Sequence, residues 1–341
     1  ARRHETHGRG QPRSDRGTMT LRLGVWARPV DQAGLDYVRE AERLGVDSAW
    51  VAEAWGFDAL TPLAAAAAVT ERIRLGTAIA QLGARTPAML AMSAMSLQHI
   101  AEGRFVLGVG TSGPQVMEGW HGVAFDRPVT RTSETIEIIR MITKGERVAY
   151  DGDVYRLPLP GGEGKSIRSM ADPVDIPIYV ASPGPRNLQL TGAAADGWIG
   201  NSFYTETADF FFDEIRHGAE SAGRSLDDIE LTVSVSVEIT DDVEEAARRH
   251  ASGFAFTFGA MGSANTNFYN RAFERQGWGD DVAEVQRLWL DGDRDAARAR
   301  VPTEIGLRTN LIGPPDEIER RLREYRDCGV DTLRILSLIH I

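Results

Sequence analysis

Arg104-Phe-Val-Leu-Gly-Val-Gly-Thr-Ser-Gly-Pro-Gln-Val-Met-Glu-Gly-Trp-His-Gly122 is a short apolar run that breaks into glycines, a threonine and a serine. Phe105 to Val109 has the length and branching of a strand buried on both faces. Gly110, Thr111, Ser112 and Gly113 then strip bulk from the backbone where that strand ends. Successive N–H groups and hydroxyls exposed at one point suit a phosphate or another anion, held by charge-assisted hydrogen bonds without a lysine. A tight strand-to-helix turn would use the same glycines for their positive φ. The string alone does not separate the two readings; its place in the chain does.

Upstream of it, the pattern predicts strands over 21–26, 48–52 and 73–79, separated by helices over 32–44 and 62–70. Pro87 opens a further helix at a position where proline is tolerated. Downstream come a helix over 132–144, a Gly/Pro-rich loop over 146–173 with a small hairpin near 148–157, and strands over 178–181 and 197–200 around a helix at 186–194. A helix over 207–222, a β-branched strand over 229–237, a mainly helical insertion over about 241–310, a helix over 315–328 and a last strand over 332–336 complete the reading. Eight buried strands alternating with helices predict a (β/α)8 TIM barrel with a helical insertion before the last strand. An open doubly wound sheet would carry its fingerprint glycines after the first strand; here they follow the fourth. Residues 1–18 are polar and Gly/Arg-rich, expected to be a disordered or non-native extension ahead of Met19. Residues 337–341 are expected to be a non-native tail, with the final helix of the barrel missing.

Chemistry in such a barrel sits at the carboxyl ends of the strands. Glu53 leaves the second strand as a candidate proton donor or partner of a cofactor ring, with a structural ion pair an equal alternative. After the third strand, Gly76-Thr77-Ala78-Ile79-Ala80 could form a bulge under a flat ring. The fourth offers Thr111, Ser112 and Gly113, followed by Gln115, Glu118, Trp120 and His121; a lone loop histidine is more often structural than catalytic. The fifth ends in Ala181-Ser182-Pro183-Gly184, which frees N–H groups at a helix start, where the macrodipole favours an anion by about 0.3–1 kcal/mol.

With 341 residues, 42% hydrophobic and 26% charged, the chain has ordinary globular proportions. A net charge of −11 argues against nucleic acid or an anionic membrane as partner. It also means that any anionic cofactor is held by local groups against the overall field. The single cysteine, Cys328, excludes an internal disulfide and a multi-thiolate metal site, and fits a cytoplasmic protein. There is no His-x-x-x-His or Cys-x-x-Cys spacing for a metal, and no Gly-x-Ser-x-Gly elbow. Lys144 and Lys165 are the only lysines. With no strong side-chain catalyst in view, the hard chemistry falls to a cofactor.

Three segments, Gly45–Glu53, Thr70–Thr77 and Gly103–Thr111, resemble the bacterial luciferase-like family of flavin- and deazaflavin-dependent oxidoreductases, as do Pro177–Ala181 and Ala194–Trp198. Thr111–Gly122 is similar to the subgroup related to methylenetetrahydromethanopterin reductase. The resemblance implies an oxidoreductase that moves hydride between coenzyme F420 and a small organic substrate, and a homodimer. It further implies a non-prolyl cis peptide at Ala78–Ile79 backing the deazaflavin ring. Residues after the fourth and fifth strands would hold the phosphate tail and one ring edge. Related sugar-phosphate dehydrogenases carry an acid followed by histidine after the second strand, whereas here Ala54 follows Glu53. The alternatives are an FMN-dependent monooxygenase of the same family and a flavin or deazaflavin binding protein without turnover.

Overall fold

Strand eight returns to strand one in the computed structural model, Leu333 beside Leu23, and this closes the barrel. Residues 20–261 and 267–336 are described; the expected extension at 1–18 and the tail at 337–341 lie outside them. The strands are, from one to eight, Arg22–Trp26, Ser48–Val51, Arg74–Thr77, Phe105–Gly110, Ile178–Ala181, Gly197–Gly200, Glu230–Ile239 and Thr332–Leu336. Each pairs in parallel with the next around the ring. Strands two, four and six are buried along their whole length, as their continuous apolar runs require.

Helices Gln32–Arg43, Leu60–Ala67, Pro87–Ile100, Pro128–Thr143, Pro185–Ala194, Asp209–Ser221 and Pro315–Asp327 cover the outside. Their starts obey local chemistry. The Asp31 carboxylate accepts the Gly34 N–H at 2.8 Å, and Thr86 caps the helix that Pro87 opens. The helix expected over 132–144 starts earlier, at Pro128, because proline at the first position needs no N–H partner. Strand three does not run to Ile79: it stops at Thr77, and the chain resumes pairing with strand four at Ala80–Gln81. Between them lies a cis peptide, Ala78–Ile79. The insertion is helical, with its own apolar core around Phe258 and Phe273, whose rings meet edge-on at 4.9 Å. A short strand not foreseen from the sequence, Leu311–Gly313, follows it and pairs with the end of strand seven.

Inside the barrel, large rings face glycines. A Cβ on Gly76 would lie 2.3 Å from the Trp50 indole, and one on Gly197 would lie 2.7 Å from the Tyr179 ring. The floor, at the amino ends of the strands, is sealed by charge. Glu230 accepts hydrogen bonds from Tyr179 Oη at 2.7 Å and Thr332 Oγ1 at 2.9 Å, and pairs with Arg74 at 3.1 Å and Arg22 at 3.0 Å. Burial works to raise the Glu230 pKa, but Arg74, Arg22 and the two hydroxyl donors together hold it below the ordinary carboxylate value of 4.5.

A carboxyl depressed in the folded state adds stability above its unfolded pKa and loses it as pH falls through the folded value. Glu230→Gln is therefore expected to cost about 2–4 kcal/mol at pH 7, where it leaves two arginines short of a partner. It should also flatten the loss of stability below about pH 4.5. Urea denaturation at pH 7 and pH 4 measures both; equal pH dependence in parent and variant would contradict the assignment.

Candidate functional site

At the carboxyl end of the barrel lies a cavity of about 390 Å³. The ends of strands one to six and the insertion wall it. Of the ten residues given a catalytic or cofactor-binding role from the sequence, nine line it: Glu53, Ala78, Ile79, Thr111, Ser112, Gly113, Ala181, Ser182 and Pro183. The tenth, Gly184, sits directly behind Pro183 as the residue from which the helix Pro185–Ala194 begins.

Glu53 is tied down. Arg85 Nη1 and Nη2 donate to its two carboxylate oxygens at 2.8 and 2.7 Å, and the Gln81 N–H donates to Oε2 at 2.9 Å. These hydrogen bonds raise the Arg85 pKa more than burial lowers it. The structural ion pair weighed from the sequence is thus present. The Gln81 side chain extends the corner. Its Nε2 donates to the carbonyl oxygens of Glu53 and Ala54, at 2.9 and 3.0 Å. That turns Oε1 toward His121 Nε2, 2.7 Å away, so His121 must donate from Nε2. His121 is spent on this brace; Trp120 points to solvent, and Glu118 accepts the Phe125 N–H.

Strands four and five end in backbone with little side chain over it. Ser112 adopts a left-handed conformation, φ 56°, unusual for a non-glycine residue and of the kind that clusters at ligand sites. A Cβ on Gly113 would come within 3.3 Å of the Met261 carbonyl oxygen. In the other loop, carbonyls are drawn away. Trp198 Nε1 donates to Ser182 O at 2.9 Å, and Arg275 donates to Pro183 O. The Ser182 hydroxyl is paired with Thr191 Oγ1. No side chain caps the helix that begins after Gly184, so its first N–H groups are left to whatever occupies the mouth.

Several residues here were not legible in the sequence. Gln81, in the short pairing segment Ala80–Gln81, and Arg85, in the loop after it, carry no motif, and Arg275 reaches Pro183 across 92 positions. Phe256, Met261, Phe268 and Tyr269 wall the cavity from the insertion; burial pushes the Tyr269 pKa upward. Trp26 had a signal, a large aromatic at the end of strand one.

The profile of the luciferase-like monooxygenase family matches residues 14–332. The chain is 37% identical to a putative coenzyme F420-dependent oxidoreductase of Mycobacterium tuberculosis, over 93% of this chain and 94% of that protein. It is 28% identical to the 5,10-methylenetetrahydromethanopterin reductase of Archaeoglobus fulgidus, over 86% of each. Among solved structures, the coenzyme F420-dependent tetrahydromethanopterin reductase from Methanopyrus kandleri superposes with a TM-score of 0.76 over 94% of each chain. At 24% identity that likeness speaks for the fold.

The geometry at Glu53 generates a test. Arg85→Met leaves a mostly buried carboxylate with one backbone donor and is expected to cost about 2–4 kcal/mol. Adding Glu53→Gln should recover a large part of it. A double-mutant cycle by urea denaturation measures the coupling; additive losses would mean that the pair is not an interacting unit.

Proposed function

From its membership of the luciferase-like monooxygenase family, to which this oxidoreductase belongs, we propose that the chain binds coenzyme F420 in the barrel mouth and exchanges hydride with a small organic substrate. The observation that carries the reading is convergence on one cavity. A bulge of small residues, Ala78–Ile79, and two stripped strand ends, Thr111–Gly113 and Ala181–Gly184, meet there. The 37% identical relative named as F420-dependent supports the choice of cofactor.

The residues present fit such a group. Ala78 and Ile79 offer a flat apolar backing, Gly184 leaves open the space a side chain would fill, and the uncapped helix start favours a phosphate. When bound, F420 supplies the hydride chemistry. The protein's part is to bind, orient and exclude water. The N–H groups of Thr111, Ser112, Gly113, Ser182 and Gly184 would face the anionic oxygens, and Arg275 fixes the second loop by holding the Pro183 carbonyl. Glu53, Arg85, Gln81 and His121 keep the strand-two and strand-three corner rigid beside the ring. Phe256, Phe268 and Tyr269 line the insertion side of the mouth with aromatic surface.

The same proposal makes the protein a cytoplasmic homodimer. Supporting the dimer, Met92, Ile167 and Met170 are exposed around a second cavity of about 890 Å³, outside the barrel mouth. Light scattering should give twice the chain mass, and Met92→Glu with Ile167→Glu should halve it; an unchanged mass would move the interface elsewhere.

Fluorescence titration tests the cofactor. F420 is expected to bind more tightly than FMN, and Gly113→Val to weaken F420 by about tenfold or more without moving the thermal melt. FMN binding as tightly as F420, or a variant that loses its fold with its ligand, would contradict the reading.

A further inference from the structure

Strand eight carries an arginine in a barrel interior filled mainly by apolar and aromatic side chains. Arg334 is wholly buried, its guanidinium 5.5 Å from the ring centroids of both Trp26 and Trp50. Nη2 reaches the Gly200 carbonyl oxygen at a long 3.4 Å. Nε and Nη1 have no hydrogen-bond partner among the described residues. Burial alone pushes its pKa down to about 9. Its neighbours share the condition among the described residues: Ser234, in register with it on strand seven, has a buried Oγ without a partner, and Trp26 on strand one a buried Nε1 without one.

The barrel floor shows how this chain treats an arginine used for structure, since Arg74 there has both Glu230 and Tyr179. Burying a guanidinium with one long acceptor contact and no counter-charge is costly, and the two indole faces offset that cost only in part. Position says what could. Strands seven, eight and one lie across the barrel from strands three, four and five, whose ends carry the proposed cofactor contacts. Trp26 lines the cavity, and Gly200 stands between the lining residues Ile199 and Asn201, so Arg334 lies just beneath its far side. Ser234 lines an adjoining cavity of about 510 Å³ that shares Asn201, Met261 and Tyr269 with the first.

We propose that Arg334, with Ser234 and Trp26, recognises a carboxylate on the substrate, in the half of the pocket opposite the cofactor. A carboxylate brings the charge and the acceptor oxygens that these groups lack. The inference rests on the hydride-transfer reading above and narrows its substrate to an organic acid.

Stability and binding together test it. Arg334→Met removes an uncompensated buried cation, so the ligand-free variant should melt about 2 °C or more above the parent. Acetate, pyruvate and cinnamate should include at least one acid that raises the parent's melting temperature where its amide does not. That difference should vanish in Arg334→Met and survive, about tenfold weaker, in Arg334→Lys. F420 affinity should stay within about twofold of the parent in both variants. A variant that melts no higher or fails to fold makes the arginine a structural brace and overturns the proposal. So does a parent that treats every acid and amide alike. A drop in F420 affinity of about tenfold assigns the anion to the cofactor and overturns the substrate assignment. If the parent binds neither F420 nor FMN but still separates acid from amide, the cofactor reading fails and the carboxylate site stands.

Discussion

Trp50 occupies the middle of the barrel because its neighbours on strands one and three at that level leave it room. A Cβ on Gly24 would lie 2.9 Å from the indole nitrogen, and one on Gly76 would overlap the six-membered ring. The indole is itself anchored, Nε1 donating to Ser48 Oγ at 2.8 Å. With Val106, Tyr179 and Ile199 packed alongside, a few large side chains fill what shorter ones on every strand would otherwise fill. A closed interior packed at protein density tolerates little change in any one of them.

That interior separates two charged regions with opposite habits. At the floor, Glu230 collects two arginines, a tyrosine and a threonine, and nearly every polar atom has a partner. Toward the mouth, polar groups are arranged so that some stay unspent: the first N–H groups of the helix after Gly184, and the guanidinium of Arg334. The mouth thus keeps a few unspent donors beside its paired Glu53 and Arg85, whereas Glu230 at the floor is surrounded by donors.

The fold could be read from residue order because both of its signals are local. Strands buried on both faces are continuous apolar runs, and Phe105–Gly110, Ile178–Ala181, Gly197–Gly200 and Thr332–Leu336 fall where those runs fall. The strand ends of the site were legible for the same reason, being the small residues that follow. What escaped was the second layer. Arg85 meets Glu53, and Gln81 meets His121, only after loops from different strands come together. The apolar pattern carries strand three two residues past its real end, because Ala78 and Ile79 are as apolar as a strand. Arg334 was overlooked inside Thr-Leu-Arg-Ile-Leu, although a charge in the middle of an apolar strand is the kind of signal that can be seen without coordinates.

The insertion has a hydrophobic centre of its own, built from Ala251, Phe258, Phe273, Val285 and Ile305, separate from the cores that join barrel and covering helices. It nevertheless supplies Phe256, Met261 and Tyr269 to the wall of the mouth. Two jobs are thereby uncoupled: the strand ends face one side of the pocket, and an independently packed segment faces the other. The segment is tied to the ring at a few points, Arg275 at the Pro183 carbonyl and His250 at Glu238 of strand seven, 2.9 Å apart. Such a division lets descendants of one scaffold diversify in what they accept while inheriting the same catalytic frame, and it marks residues 243–308 as the portion to randomise in a directed search for new specificity.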